Sequence, residues 1–114
     1  MTRILVLAAM TFGAIAFGAV GPSRADDDTA YTITIQNHRF APEQLELPAG
    51  KKITLTIKNL DAIPAEFESG DLNREKVVVG GSTITVFVGP LRPGSYEFFD
   101  DFNPATTHGH IVVK

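Results

Sequence analysis

Residues 93–102 read Pro-Gly-Ser-Tyr-Glu-Phe-Phe-Asp-Asp-Phe. Pro93-Gly94 is turn chemistry, and the run behind it alternates, with Tyr96 and Phe98 on one side and Glu97 and Phe99 on the other. Aromatic residues at period two define a half-buried strand. By the same parity Asp100 lies with Tyr96 and Phe98, and Asp101 points the opposite way.

Working outward, the same period recurs along the chain. Tyr31, Ile33 and Ile35 alternate with Thr32, Thr34 and Gln36, and Ile53, Leu55 and Ile57 with Thr54, Thr56 and Lys58. Ile84, Val86 and Val88 alternate with Thr83, Thr85 and Phe87. Residues 77–79 and 111–113 are apolar runs too short for helices, and residues 43–47 and 65–69 are weaker strand candidates. Pro48-Ala49-Gly50, Gly80-Gly81, Gly89-Pro90 and Asn103-Pro104 punctuate them. The spacing predicts an all-β chain, a Greek-key β-sandwich of seven to eight strands, with at most a single helical turn over residues 70–75.

The first residues follow a different logic. Arg3 precedes an uncharged run over residues 4–20. Pro22 breaks it, and Ser23 and Ala25 place small residues at the −3 and −1 positions of a cleavage site. Residues 1–25 are therefore expected to be a signal peptide, residues 26–30 a mobile acidic leader, and residues 31–114 one domain. The apolar run is at the short end of the roughly 17–25 residues of a spanning helix, with no basic stop-transfer cluster behind it. No membrane insertion is expected after cleavage.

Cleavage would leave 89 of the 114 residues and, by removing Arg3 and Arg24, move the net charge from −3 to −5. A domain this small buries only about 60–65% of its unfolded surface. With no cysteine it has no disulfide to help. The acidic balance argues against nucleic acid and suits a cationic ligand. No Ser-His-Asp arrangement, phosphate-binding glycine loop or zinc spacing is present.

The order of features resembles the cupredoxins over nearly all of residues 31–114. The carrying motifs are Phe40-Ala41-Pro42, Pro48-Ala49-Gly50-Lys51, Asn59-Leu60-Asp61 and Pro93-Gly94-Ser95-Tyr96-Glu97-Phe98. Transferred residue by residue, the family's first histidine falls on Ala65, its cysteine on Asp100, its second histidine on Asn103 and its methionine on Thr107 or His108. A blue-copper centre needs a thiolate, so that function is excluded.

Glu66-Phe67-Glu68-Ser69, residues 74–78 and Phe98-Phe99-Asp100-Asp101-Phe102 are similar to the cupredoxin-like domains of bacterial periplasmic iron-uptake systems. That resemblance implies a periplasmic protein binding copper or iron. Its partners would be a periplasmic iron-binding protein and an inner-membrane iron permease, and an oxidase-like role toward ferrous iron is implied for the group. A metal-free module docking those partners is the rival expectation.

The residues allow a metal set of Asp100, His108, Glu66, Asp101 and His110. Oxygen and imidazole donors suit iron or Cu(II) better than Cu(I), and the only methionines, Met1 and Met10, lie in the signal. Asp100 has two readings, a ligand or an acceptor for loop amides. Glu66 and Glu68 share the outward face unless a bulge turns Glu66 inward. His108 and His110 share a face, which makes a chelate workable. His38 reads as surface or packing. Pairing of the glutamates with Arg39, Arg74 or Lys76 is the account that needs no metal.

Overall fold

The computed structural model describes residues 29–114; the expected signal peptide and Asp26 to Asp28 lie outside the described residues. Nine strands follow in order: β1 Ala30–Gln36, β2 Arg39–Ala41, β3 Gln44–Leu47, β4 Ile53–Asn59, β5 Ala65–Ser69, β6 Arg74–Val78, β7 Thr83–Val88, β8 Gly94–Asp100 and β9 His108–Val113. No α-helix occurs among the described residues. The strand beyond the expected eight is β2, three residues after a two-residue turn. Asn37 and His38 both hold positive φ (54° and 58°), which is the backbone a tight hairpin requires.

The strands form two mixed sheets, a four-stranded one in the order β2-β1-β4-β7 and a five-stranded one in the order β3-β9-β8-β5-β6. β1 with β4 and β3 with β9 are parallel, and the other pairs are antiparallel. The chain passes repeatedly from one sheet to the other, so the alternating apolar faces meet as a sandwich.

The apolar residues of each period-two run fill the interior: Ile33, Ile35, Leu55, Ile57, Val86 and Val88 from one sheet, and Phe67, Val78, Phe98, Ile111 and Val113 from the other. At one end Phe40 stands edge-on to Phe67 and Phe98, with centroids 6.3 and 4.9 Å away. Each buried phenylalanine contributes roughly 1.5–3 kcal/mol of apolar burial. Gly109 lies against this cluster. A Cβ there would stand 2.5 Å from the Glu43 carbonyl oxygen and 2.7 Å from the Phe98 ring, so only glycine fits.

Asn59 and Asp61 tie the loops at the same end. The buried Asn59 amide donates to the carbonyls of Ile63 (2.8 Å) and Val78 (3.0 Å), and its Oδ1 accepts from Asp61 N at 3.0 Å. The Asp61 carboxylate accepts the amides of Asn37 (2.7 Å) and His38 (3.0 Å). The Thr107 hydroxyl donates to the His38 carbonyl. This network closes the end at which β8 finishes and β9 begins.

Candidate metal centre

The five-stranded sheet sets the parity of every candidate. Ala65, Phe67 and Ser69 of β5 are buried inward, so Glu66 and Glu68 project from the outer face. The β5–β6 register runs without interruption, from Ala65 opposite Val78 to Ser69 opposite Arg74. There is no bulge, and Glu66 keeps the outward direction that simple alternation gives it.

On that outer face carboxylates converge. Glu66, Glu68 and Asp101 each offer an oxygen within 4.8 Å of the others. Glu75 adds a fourth group, directly opposite Glu68 across the β5–β6 pair. Glu66 is 9% exposed although it lies on an outer face, and its Oε1 is buried without any hydrogen-bond partner. Its pKa is raised to about 7, first by a hydrogen bond shared with the Glu75 carboxyl, then by burial, then by the charges of Glu75, Asp101 and Glu68. The pKa of Glu68 is raised by burial first and then by the charges of Asp101 and Glu75.

Among the described residues no cation forms an ion pair with this cluster. Among the described residues the one ion pair is Lys114 with Glu46. The Arg74 guanidinium donates instead to the carbonyls of Phe87 (2.9 Å) and Asn73 (2.8 Å). Arg74 and Lys76 have the opposite parity to Glu75 on β6, and the Arg74 Nε–H is turned to the β7 main chain although Arg74 borders the same pockets as Glu75. The pairing with Arg74 or Lys76 allowed by the sequence is therefore not made.

The structure divides the five residues expected together. Glu66 and Asp101 meet in the carboxylate cluster. Asp100 has the inward parity expected of it, is 1% exposed, and accepts from three protein donors. Its Oδ1 accepts the amides of Glu66 (2.8 Å) and Phe102 (3.0 Å), and its Oδ2 accepts Asn103 Nδ2 at 3.2 Å. Of its two sequence readings, the acceptor for loop amides is the observed arrangement.

His108 and His110 share the outer side of β9 but stand away from the carboxylates. Phe99 lies between His108 and Glu68 in one cross-strand row, so two strand spacings, about 10 Å, separate them. His110 Nε2 is 3.0 Å from Gln44 Oε1. His38 is exposed in its turn, as its surface reading has it. The metal set expected from the sequence contains neither Glu68, whose outward direction the sequence does give, nor Glu75. The one signal for them was two acidic residues flanking a Gly-containing turn at hairpin distance.

The four positions where a blue-copper protein carries ligands do not fit a copper ion. Ala65 has no side-chain donor atom, and Asp100 and Asn103 are hydrogen-bonded to each other; the fourth position falls on Thr107, whose buried hydroxyl donates to the main chain, or on His108, which is exposed on β9 opposite Phe99. A hydrogen-bond network fills that end of the sandwich.

With two facing mixed sheets and this loop arrangement in place, the chain belongs to the cupredoxin-like domain family, whose model matches residues 4–113. It is 40% identical over 116 residues to the uncharacterized protein RP394 of Rickettsia prowazekii (strain Madrid E), covering 98% of this chain and 93% of that one. Among solved structures, dithionite-reduced auracyanin of the photosynthetic bacterium Roseiflexus castenholzii has a TM-score of 0.66 at 18% identity, over 75% of this chain and 97% of its own. A purple cupredoxin of Nitrosopumilus maritimus has a TM-score of 0.57 at 21% identity, over 74% and 99%. Identities this low speak for the fold alone.

Proposed function

We propose that this protein is an exported, cupredoxin-fold cation binder that serves ferrous-iron uptake and holds iron at the outer-face carboxylates Glu66, Glu68 and Asp101, with Glu75 adding charge. The observation that carries the reading is Glu66 Oε1, buried, without a hydrogen-bond partner, beside two more carboxylates and with no ion pair among the described residues to offset them. A buried carboxyl oxygen with no donor is costly; without metal the group keeps a proton shared with Glu75 instead of its charge, and a bound cation would take the proton's place. An all-oxygen donor set suits hard ions and disfavours Cu(I); of the two candidate metals Cu(II) binds a given site more tightly than Fe(II), so the choice of iron rests on the resemblance to iron-uptake domains.

The fold supplies the rigid platform. The ligands come from adjacent strands whose register is set by the core on the other side of the sheet. The periplasmic setting and the docking of an iron-binding protein or permease rest on the signal-peptide pattern and on the sequence resemblance.

The test is titration of the protein with Fe(II) under anaerobic conditions, with Cu(II) and Ca(II) as parallel arms. One equivalent of Fe(II) is expected to bind at micromolar concentration, and Glu66→Gln/Glu68→Gln/Asp101→Asn is expected to bind at least 100-fold more weakly. Tighter binding of Ca(II) than of iron would reassign the ion. Absence of binding in all three arms would overturn the proposal and leave a metal-free docking module.

A further inference from the structure

Two ligands of the proposed site, Glu66 and Asp101, face each other where β8 ends. In an antiparallel ladder every second opposed pair exchanges two bonds, each residue donating its amide to the other's carbonyl, and Glu66 with Asp101 falls at such a place. Here one of the two is made: Asp101 N donates to Glu66 O at 3.0 Å. The other is replaced. Glu66 N donates to the side chain of Asp100, at 2.8 Å from Oδ1.

The same Oδ1 takes the amide of Phe102 at 3.0 Å, and Oδ2 takes Asn103 Nδ2 at 3.2 Å. The Asp100 main chain is held as well, since its amide donates to Thr107 O at 2.9 Å and its carbonyl accepts Asn103 N at 2.9 Å. One buried carboxylate thus grips the chain just after Asp101 and, across the sheet, the amide of Glu66. It lets β8 turn away after Asp100 while Asp101 stays beside Glu66 and Glu68.

We infer that Asp100, at the place where blue-copper proteins carry their thiolate, is the positioning residue of the outer-face cation site. It sets the separation of Glu66 and Asp101 through their main chain and touches no metal. This rests on the cation-binding reading above. The geometry separates the role from that of a ligand. A ligand needs the negative charge of Asp100. A clamp needs only an acceptor at Oδ1, which asparagine retains, and the Asn103 amide can turn over to accept the new Nδ2–H. Partners that orient ligands from outside the coordination sphere typically change affinity about 10–100-fold.

The experiment compares Asp100→Asn and Asp100→Ala with the wild-type protein, using Fe(II) and Cu(II) titration, the electron paramagnetic resonance spectrum of bound Cu(II), and hydrogen exchange of the Glu66 and Phe102 amides. Asp100→Asn is expected to bind within about threefold of wild type, with the same spectrum and slow exchange at both amides. Asp100→Ala is expected to bind at least tenfold more weakly, with an altered spectrum and fast exchange. Equal damage from both substitutions would make Asp100 a ligand, and wild-type affinity in Asp100→Ala would remove its role; either result overturns the inference. Should Asp100→Ala fail to fold, the Asp100→Asn spectrum decides: unchanged supports the clamp and changed overturns it. A wild-type protein that binds no metal overturns the cation reading instead, and amide exchange in the two variants still tests the clamp.

Discussion

Glu68 and Glu75 stand directly opposite one another across the β5–β6 pair, two like charges where a sheet ordinarily places complementary ones. Removing one of them relieves the repulsion in the metal-free protein. Glu75→Gln is expected to raise Tm by roughly 2–5 °C in the presence of a chelator, as cross-strand pair energies convert for a domain of this size. The same substitution is expected to lower iron affinity, because the cluster loses charge. Thermal unfolding with and without iron reads both effects; a lower Tm in chelator would refute the repulsion.

The raised pKa of Glu66 makes stability pH-dependent with a definite sign. The folded protein holds a proton to about pH 7, whereas the unfolded chain releases it near 4.5. Between those values the folded state binds more protons, so stability falls as pH rises. Glu68 shifts in the same direction. In chelator, Tm is expected to decline from pH 4.5 to 7 and to flatten in Glu66→Gln. Iron binding must displace the proton, so the Tm gained from iron is expected to grow over the same interval. Asp61 acts oppositely at the acid end. The His38 amide, more than any other group, holds its pKa below 3.8, so its contribution is present above that value and is lost as pH falls through the lowered one.

Asn59→Ala is expected to cost about 3 kcal/mol. The side chain is buried, donates to the carbonyls of Val78, in a buried bond, and Ile63, in a part-buried one, and accepts the Asp61 amide. An unsatisfied buried carbonyl costs about 1–3 kcal/mol. Urea unfolding measures this, and a loss below about 1 kcal/mol would show that the loop relaxes to new partners.

His108→Ala and His110→Ala, singly or together, are expected to leave iron affinity within about twofold of wild type. Both stand on β9, with β8 between them and β5: His108 lies across Phe99 from Glu68, and His110 is paired with Glu97. A tenfold loss on titration would bring them into the site and contradict the distance implied by two strand spacings, about 10 Å.

Much of the architecture is readable along the chain, because strand parity is local. The alternation of Tyr96, Phe98 and Asp100 already turns Asp100 inward, and that of Ala65 and Phe67 already turns Glu66 outward. The Asn59-Leu60-Asp61 and Pro93-Gly94 elements mark loops that the structure places as expected. β2 escaped notice because three residues behind a turn are too few to show a period.

The site was only half legible, and Asp100 shows why. Its residue type and direction follow from the sequence alone, and so does the exclusion of a thiolate copper centre. Whether its carboxylate meets a cation or two amides depends on which strand lies beside it and where that strand's amides fall. The same holds for Glu68 and Glu75, unremarkable as separate residues and a cluster with Glu66 and Asp101 once β5 pairs with β6 and β8. Side-chain direction is set by each residue's own strand. Register between strands is set by the packing of the whole sandwich, and only the tertiary structure decides which charges it brings together.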